Sequence, residues 1–355
     1  RKNAAFTRAG QNTTWTAAGR KGDHMEYKPP FTMTDNIINL LAAVSEQVGQ
    51  VTILHKDTIS PKLRRENRIK TIHSSLAIEN NTLSLEQVTA VLDGKRVLGA
   101  PQEIREVQNA YEAYEIMLTL DPLNINDLLQ AHKLMMNDLI KESGRFRSGG
   151  VGVFDGKQVV HIAPPADIVP QLIEDLFEWY KTSPLHILIK SCIFHYEFEF
   201  IHPFADSNGR IGRMWHTLLL SQWNGLFAWL PIEELIKEQQ QDYYNALAAA
   251  DKKADCAAFV EMMMSIILKA LQEKGYKADV AAGLSLGEYG ALLAAGISTH
   301  FALQTFLNIG VVTNFLPATG ISLPFFSYGG TALLMQLFEV GVVLAVSRQN
   351  DNKLL

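Results

Sequence analysis

The chain has 355 residues, 47% of them hydrophobic and 19% charged, with a formal net charge of −5, which supports one or two globular domains with substantial cores. Because there is no basic excess, binding to nucleic acid through charge is not expected. The two cysteines, Cys192 and Cys256, are too few for a disulfide or zinc framework, so we expect packed thiols in a reducing, cytoplasmic location.

Composition and hydrophobic periodicity divide the chain into four segments. Residues 1–24 form a polar leader that runs up to Met25 through Gly-Asp-His, a pattern typical of a cloning remnant, and we exclude it from the fold prediction. Residues 25–100 are predicted to be N-terminal helices, and residues 101–274 a helical core. Residues 275–355 form a hydrophobic, glycine-containing tail of different composition.

Apolar side chains recur at spacings of three and four through most of the first 274 residues, which is typical of amphipathic helices. One helix is predicted from Pro61 to about Asn80, with Ser75 and Glu79 on one face. Residues 151–162 predict a β-hairpin with Asp-Gly at its turn. Further helices are predicted from Asn36 and over Leu85–Asp93, Pro101–Leu120, Asn126–Ile140, Ala166–Ser183, His186–Phe200, Pro231–Tyr244 and Ala246–Leu271. The predicted fold class is an all-α bundle of eight or more helices with one β-hairpin.

A polar loop leads directly into a helix at residues 201–213. Pro203 disfavours helical backbone for the residue before it, so His202 should end the preceding helix. That helix is apolar on all sides, which indicates a central position. Turn and cap residues follow, and the full run is Ile201-His202-Pro203-Phe204-Ala205-Asp206-Ser207-Asn208-Gly209-Arg210-Ile211-Gly212-Arg213.

The residue types in this run suit attack on a polyphosphate. His202 can act as a base near neutral pH. Asp206 offers a hard oxygen ligand for Mg²⁺, and the helix N-terminus after it is an anion site. Arg210 and Arg213 share a helix face and carry guanidinium groups suited to phosphate oxygens. Each residue alone has an ordinary structural explanation, and only the combination favours chemistry.

This run resembles the signature of the Fic domain family, His-x-Phe-x-Asp/Glu-Gly-Asn-Gly-Arg-x-x-Arg. Ser207 occupies the position at which the family usually has its first glycine. If the backbone there needs a positive φ, serine would strain the loop by about 1 kcal/mol or more. The resemblance implies an all-α fold and transfer of AMP from ATP to a Ser, Thr or Tyr hydroxyl of a target protein.

The resemblance also implies roles for individual residues. His202 would deprotonate the target hydroxyl, Asp206 would hold Mg²⁺, and Phe204 would pack the loop into the core. The implied nucleotide-binding residues are Ser207, Asn208, Gly209, Arg210 and Arg213, with Tyr244 in the base pocket. The hairpin corresponds to a flap that adds a strand to the target segment, and its implied target-positioning residues are Val159, Val160 and His161.

The upstream run Ser75-Leu-Ala-Ile-Glu79-Asn80 resembles the inhibitory motif of auto-inhibited Fic proteins, although by itself it could be an ordinary helix end. By this resemblance, Glu79 would pair with Arg213 and block the γ-phosphate. Two other activities stay open, namely removal of AMP by the same site and a locked nucleotide-sensing interaction module. A homo-oligomer and a membrane contact through the tail also stay open.

The tail contains fragments that resemble two further families. Gly-Leu-Ser285-Leu-Gly resembles malonyl-CoA:acyl-carrier-protein transacylases over about residues 279–296, but Leu284 replaces their usual histidine and we predict no catalysis by Ser285. Residues 300–348 resemble the C-terminal end of the shape, elongation and division family of membrane peptidoglycan polymerases. The apolar run at 331–347 is near the lower length limit for a membrane span, with a buried hydrophobic hairpin as the alternative.

Overall fold

The computed structural model describes residues 6–7, 14–15, 27–54, 61–155, 158–275, 296–307, 309–313, 315 and 340. The chain divides into two compact units, Arg1–Tyr276 and Lys277–Leu355. Near the start of the first unit, strands β1 (Phe6–Thr7) and β2 (Thr14–Trp15) form an antiparallel pair.

The predicted fold class is confirmed, because the described part of the first unit is a helical bundle that carries one longer hairpin. Its N-terminal helices are α1 (Asp35–Leu54), α2 (Pro61–Ile78) and α3 (Leu85–Leu92). They are followed by α4 (Pro101–Ile116), α5 (Ile125–Met135), α6 (Val169–Thr182), α7 (Ile187–Ile201) and α8 (Asn208–Ser221). The bundle ends with α9 (Ile232–Glu238), α10 (Gln240–Lys253) and α11 (Ala257–Ala270).

Helices α7 and α8 lie at the centre because neither presents a polar face to solvent. Eleven side chains of α7 and twelve of α8 are buried. One side of α7, including Phe198, joins a core cluster with Trp215 of α8 and the helices α2 to α6. The other side, including Tyr196, joins a second cluster with α1, α10 and α11. The loop between α7 and α8 is therefore held by apolar packing on both sides.

The predicted hairpin is present between α5 and α6. Strands β3 (Gly152–Asp155) and β4 (Gln158–Ile162) pair antiparallel, with Val153 opposite His161 and Phe154 opposite Val159. This register leaves Val160 as an extra residue in β4, which makes a β-bulge. The second residue of the predicted Asp-Gly turn lies outside the described residues, as do the side chains of both strands.

Three predicted helix boundaries are wrong. Helix α5 ends at Met135 rather than at residue 140, because the chain turns through Asp138 with φ +59°. The helices predicted with a break near residue 245 are instead continuous there and break at Gln239 and at Ala254, which has φ +49°. Neither break has a glycine or proline signal. A tertiary hydrogen bond from Cys256 N to Pro30 O, at 2.9 Å, fixes the second one.

Little of the second unit belongs to the described residues. Residues 296–307 and 309–312 are helical. The motif around Ser285 and the polymerase-like run at 324–331 lie outside the described residues, and so does the apolar run at 331–347 apart from Val340. Among the helices that are described, none combines the length and the apolar character needed to cross a membrane.

Candidate active site

The site begins where α7 ends. His202 follows the last helical residue and adopts left-handed backbone angles, φ +50° and ψ +60°, while its N–H still donates to Phe198 O at 3.0 Å. Pro203 accounts for this ending, because the ring of a proline clashes with a helical residue before it. The histidine therefore projects from the rigid end of a buried helix, and its Nδ1 lies 3.3 Å from Glu199 O.

Two side chains shape the loop after His202. Asn208 makes a reciprocal pair with the backbone of Phe204, since Phe204 N donates to Oδ1 at 2.8 Å and Nδ2 donates to Phe204 O at 2.9 Å. The Phe204 ring is fully buried and stacks on His132 at a centroid distance of 3.8 Å. The predicted packing of Phe204 into the core is present, and the side chain of Asn208 is occupied by the loop itself.

His132 of α5 supports this loop from the core side. Its Nδ1 accepts from Gly144 N at 3.0 Å, which places the ring proton on Nε2, 3.3 Å from Asp206 O. Burial lowers the pKa of His132 to about 4, so the ring is neutral at physiological pH. A neutral ring can stack flat on Phe204 while donating to the loop.

Arg147 is a structural residue of the site that the sequence did not single out. Its buried guanidinium donates to four backbone carbonyls, with Nε 2.8 Å from His202 O, Nη1 2.9 Å from Gly149 O, and Nη2 2.5 Å from Pro164 O and 3.3 Å from Ile201 O. Gly149 and Pro164 flank the hairpin on its two sides. Arg147 thus ties the base of the β3–β4 hairpin to the carbonyl of His202. The sequence feature that could have pointed to Arg147 is its position in a glycine-flanked loop, as the second arginine of Gly-Arg-Phe-Arg.

Ser207 precedes the first residue of α8 and has φ +70° and ψ +18°. This is the left-handed region, so the conditional prediction of strain at this position applies. The residue is 4% exposed, and its Oγ has no hydrogen-bond partner among the described residues. The conformation turns Ser207 N towards Asp206 Oδ1, at 2.5 Å.

Arg213 is the more enclosed of the two arginines of α8, with 2% of its side chain exposed. Its Nη2 donates to Glu79 Oε1 at 2.8 Å and to Ser75 O at 3.0 Å, while Nε donates to Ser75 Oγ at 3.1 Å. Burial alone lowers the pKa of Arg213, but the Glu79 carboxylate, together with Tyr243 and Glu199, outweighs burial, so the pKa is raised. The contact between Glu79 and Arg213 is present, and its inhibitory role stays a prediction.

Glu79 also covers the first turn of α8. A Cβ placed on Gly209 would lie 2.3 Å from Glu79 Oε1 and 2.9 Å from Arg213 Nη1. Position 209 therefore accommodates only glycine while the Glu79 carboxylate lies against it. The Glu79 side chain is 34% exposed and occupies the space directly above the helix N-terminus, where an anion would otherwise bind.

A second carboxylate approaches α8 one turn further along. A Cβ on Gly212 would lie 2.4 Å from Glu199 Oε1, an atom that is buried and has no hydrogen-bond partner in the described part of the chain. Burial raises the pKa of Glu199 to about 8, with Arg213 opposing and Glu79 adding to the rise. The side chain therefore carries a proton at neutral pH while Glu79 holds the arginine.

The remaining predicted site residues lie at the edge of this arrangement. Tyr244 is 41% exposed and packs edge-on against Tyr243 at 5.5 Å. Burial, and after it the Glu79 carboxylate, raises the pKa of Tyr244. Val159, Val160 and His161 belong to β4, and the directions of their side chains lie outside what the structure describes.

Comparison with known proteins gives one match that covers the tail and begins within α11. Residues 261–352 match a family described as cell cycle protein. Stage V sporulation protein E of Bacillus subtilis is 55% identical over 60 residues, which are 17% of this chain and 16% of that protein. The predicted resemblance of the tail to the shape, elongation and division family is supported as a fragment, and the transacylase resemblance stays a prediction.

Two curated relatives of the helical bundle are named after an enzymatic activity. Protein adenylyltransferase Fic of Drosophila mojavensis is 27% identical over 248 residues, covering 65% of this chain and 46% of that protein. Protein adenylyltransferase fic-1 of Caenorhabditis elegans is 25% identical over 225 residues, covering 60% and 42%. The chain thus spans less than half the length of these curated relatives.

Solved structures give a more extensive match. Fic-1 from C. elegans superposes with a TM-score of 0.58 at 24% identity, covering 70% of this chain and 73% of that one, which supports the fold. A Fic family protein from Desulfovibrio desulfuricans G20 superposes with a TM-score of 0.68 at 56% identity, covering 70% and 76%. Residues 122–220, which include the signature loop, match the Fic/DOC family itself. The chain therefore belongs to the Fic/DOC family, as the signature predicted.

Proposed function

We propose that this protein is an adenylyltransferase that moves AMP from ATP to a Ser, Thr or Tyr hydroxyl of a protein, and that Glu79 keeps it inhibited. The observation that carries the proposal is the position of the Glu79 carboxylate, which lies at the anion site at the N-terminus of α8 and accepts a hydrogen bond from Arg213. The names of the curated relatives support the reaction class. Target and substrate remain part of the proposal.

His202 would act as the base. With its ring proton on Nδ1 donating to Glu199 O, Nε2 carries the lone pair that takes the proton of the target hydroxyl. The hydroxyl oxygen then forms a bond to the α-phosphorus of ATP, and the bond from that phosphorus to the pyrophosphate oxygen breaks. Arg147 fixes the carbonyl of His202 together with the flap, so base and target segment keep one geometry.

The flap would hold the target. The β3–β4 hairpin is a two-stranded sheet, so each strand presents one outer edge to which an extended segment can add as a third strand. The bulge at Val160 locally twists β4. Val159, Val160 and His161 are accordingly the proposed target-positioning residues.

Asp206 fits the single protein carboxylate that Mg²⁺ commonly uses beside a polyphosphate. Its side chain is 56% exposed, and the hydrogen bonds it accepts within the described residues, from Ser207 N and Arg210 Nη2, both go to Oδ1. Oδ2 is therefore available to a cation. When bound, Mg²⁺ would neutralise charge on the phosphates, whereas Asp206 itself provides the ligand oxygen and is kept in place by the loop.

The phosphates would lie at the first turn of α8, where Asn208 and Gly209 present backbone N–H groups. The N–H of Ser207 donates to Asp206 Oδ1, so its proposed bond to the nucleotide would be shared with that carboxylate. Because the Asn208 side chain is bonded to Phe204, its contribution to the nucleotide is assigned to the backbone. Arg210 and Arg213 would hold the β- and γ-phosphates, and Tyr244 would border the base pocket. Glu79 must leave Arg213 before the γ-phosphate can take its place.

Labelling with [α-³²P]ATP·Mg²⁺ tests the proposal. The wild type should label weakly, Glu79→Gly strongly, and Glu79→Gly combined with His202→Ala not at all. Glu66→Gly is the matched control, because Glu66 is an exposed residue of α2, the helix that Glu79 directly follows, and its side chain pairs only with Lys62 among the described ion pairs. Strong labelling by Glu66→Gly would mean that loosening α2, rather than freeing Arg213, activates the site.

Removal of AMP is the second candidate, and one observation favours it. Glu79 uses only Oε1 towards Arg213, and Oε2 accepts no hydrogen bond from the described residues, so it can orient a water molecule near the anion site. In this case wild type should release AMP from an adenylylated target and Glu79→Gly should not. If Glu79→Gly releases AMP as fast as the wild type, Glu79 has no such role.

A further inference from the structure

Arg210 lies between two carboxylates of different elements. Its Nη2 is 3.2 Å from Asp206 Oδ1, and its Nη1 is 4.0 Å from Glu106 Oε1 of α4. Only 6% of the Arg210 side chain and 16% of the Glu106 side chain are exposed. Because both groups are withdrawn from water, their attraction is screened much less than that of a surface pair.

Glu106 is in turn held by Asn81, which lies just after the end of α2. Asn81 Nδ2 donates to Glu106 Oε2 at 2.9 Å and to Glu103 O at 3.2 Å. Asn81 is 7% exposed, and its own N–H donates to Leu76 O at 3.1 Å, which anchors it to the last turn of α2. A chain of contacts therefore runs from α2 through Asn81 and Glu106 to Arg210, separate from the contact between Glu79 and Arg213.

The hydrogen bonds that Asp206 accepts indicate the effect of these contacts on Arg210, because both bonds go to Oδ1. A guanidinium commonly binds a carboxylate through both oxygens. Here Arg210 reaches only Oδ1, because Glu106 attracts its other nitrogen, and Nε is buried without a partner in the described part of the protein. We propose that Glu106, held by Asn81, is a positioning residue that keeps Arg210 from closing on both oxygens of Asp206 and so leaves Oδ2 to a divalent cation.

This inference rests on the proposed function for the identity of the cation, but its electrostatic consequence is independent of catalysis. Without the charge of Glu106, Arg210 would pair more fully with Asp206, and the local potential would become more positive. Both effects weaken cation binding. Because Asp206 is 56% exposed, a cation bound there would be screened by solvent, and the loss of one neighbouring charge should change its affinity by up to about fivefold, or about 1 kcal/mol.

The test compares Glu106→Gln, Asn81→Ala and Glu103→Gln, each in the full chain carrying Glu79→Gly. Glu103 is the matched control, since it is one turn away on α4 and bonds Thr82 N and Oγ1 but not Arg210. Two quantities are measured, namely Mn²⁺ binding by electron paramagnetic resonance with α,β-methylene-ATP present, and the Mg²⁺ concentration for half-maximal labelling. We expect both to shift two- to fivefold towards higher metal concentration in Glu106→Gln and Asn81→Ala, but not in Glu103→Gln.

Unchanged Mn²⁺ affinity in Glu106→Gln, or an equal loss in Glu103→Gln, overturns the inference. If the Glu79→Gly parent does not label at all, the proposed function fails, and the Mn²⁺ comparison still decides the role of Glu106. If Glu106→Gln does not fold, Asn81→Ala decides instead, because it removes the support of Glu106 and leaves both charges in place.

Discussion

Replacing Ser207 by glycine should stabilise the protein by about 2 kcal/mol. Ser207 has φ +70°, which costs an L-residue roughly 1–2 kcal/mol, and its buried Oγ lacks a partner among the described residues, which costs about 1–3 kcal/mol more. Against this, glycine gives the unfolded chain about 0.5–1 kcal/mol of additional entropy, and the lost methylene removes about 0.8 kcal/mol of burial. The balance favours glycine.

Urea unfolding followed by circular dichroism measures this difference, with Ser207→Ala and Ala254→Gly as companions. Ala254 has φ +49° and no polar side-chain atom, so Ala254→Gly tests the backbone contribution alone, whereas Ser207→Ala tests the hydroxyl alone. We expect Ser207→Gly to exceed each of them. If Ser207→Gly is neutral or destabilising while Ala254→Gly stabilises, the serine hydroxyl makes a favourable interaction and the reasoning is refuted.

Three further predictions follow from the site. The free energy of unfolding of the wild type should fall by about 2 kcal/mol between pH 7 and pH 5 through His132, because the unfolded chain binds a proton below pH 6.5 that the folded ring, with its pKa of about 4, does not bind. Denaturation of His132→Gln at both pH values should show a loss that is smaller by this amount. An equal loss in both proteins would contradict the assignment. In the Glu79→Gly background, Arg147→Lys should lower labelling about tenfold or more, because an ammonium group cannot reproduce the hydrogen bonds of the planar guanidinium to four carbonyls. The same change at exposed Arg145 should leave labelling unchanged. Glu79→Gly alone should lower the free energy of unfolding by about 2 kcal/mol, and so the melting temperature, because it leaves buried Arg213 without its carboxylate. In a thermal-shift assay, ATP·Mg²⁺ should stabilise this variant more than it stabilises the wild type.

The local part of the site could be predicted from the sequence. Thirteen consecutive residues specify a loop and a helix N-terminus, and Pro203 alone requires that α7 stop before it. The pairing of Glu79 with Arg213 spans 134 positions and was accessible only through the resemblance to a family motif.

The supports of the site were not predictable in the same way. Arg147, His132 and Glu106 act through contacts with residues 55 to 104 positions away in the chain, and their own neighbours in sequence carry no period or spacing that encodes those contacts. The breaks at Gln239 and Ala254 were missed because neither has a glycine or proline, and at Ala254 a tertiary hydrogen bond from Cys256 N to Pro30 O fixes the new direction of the chain.

The central claim is that the N-terminus of α8 is a triphosphate site from which Glu79 excludes the nucleotide. Intact-mass analysis of Glu79→Gly after incubation with each nucleoside triphosphate and Mg²⁺ tests it most directly. The account predicts a gain of one adenylyl unit with ATP, little gain in the wild type, and none when His202→Ala is added. No gain with any nucleotide in Glu79→Gly, or the same gain in the His202→Ala double variant, would contradict it.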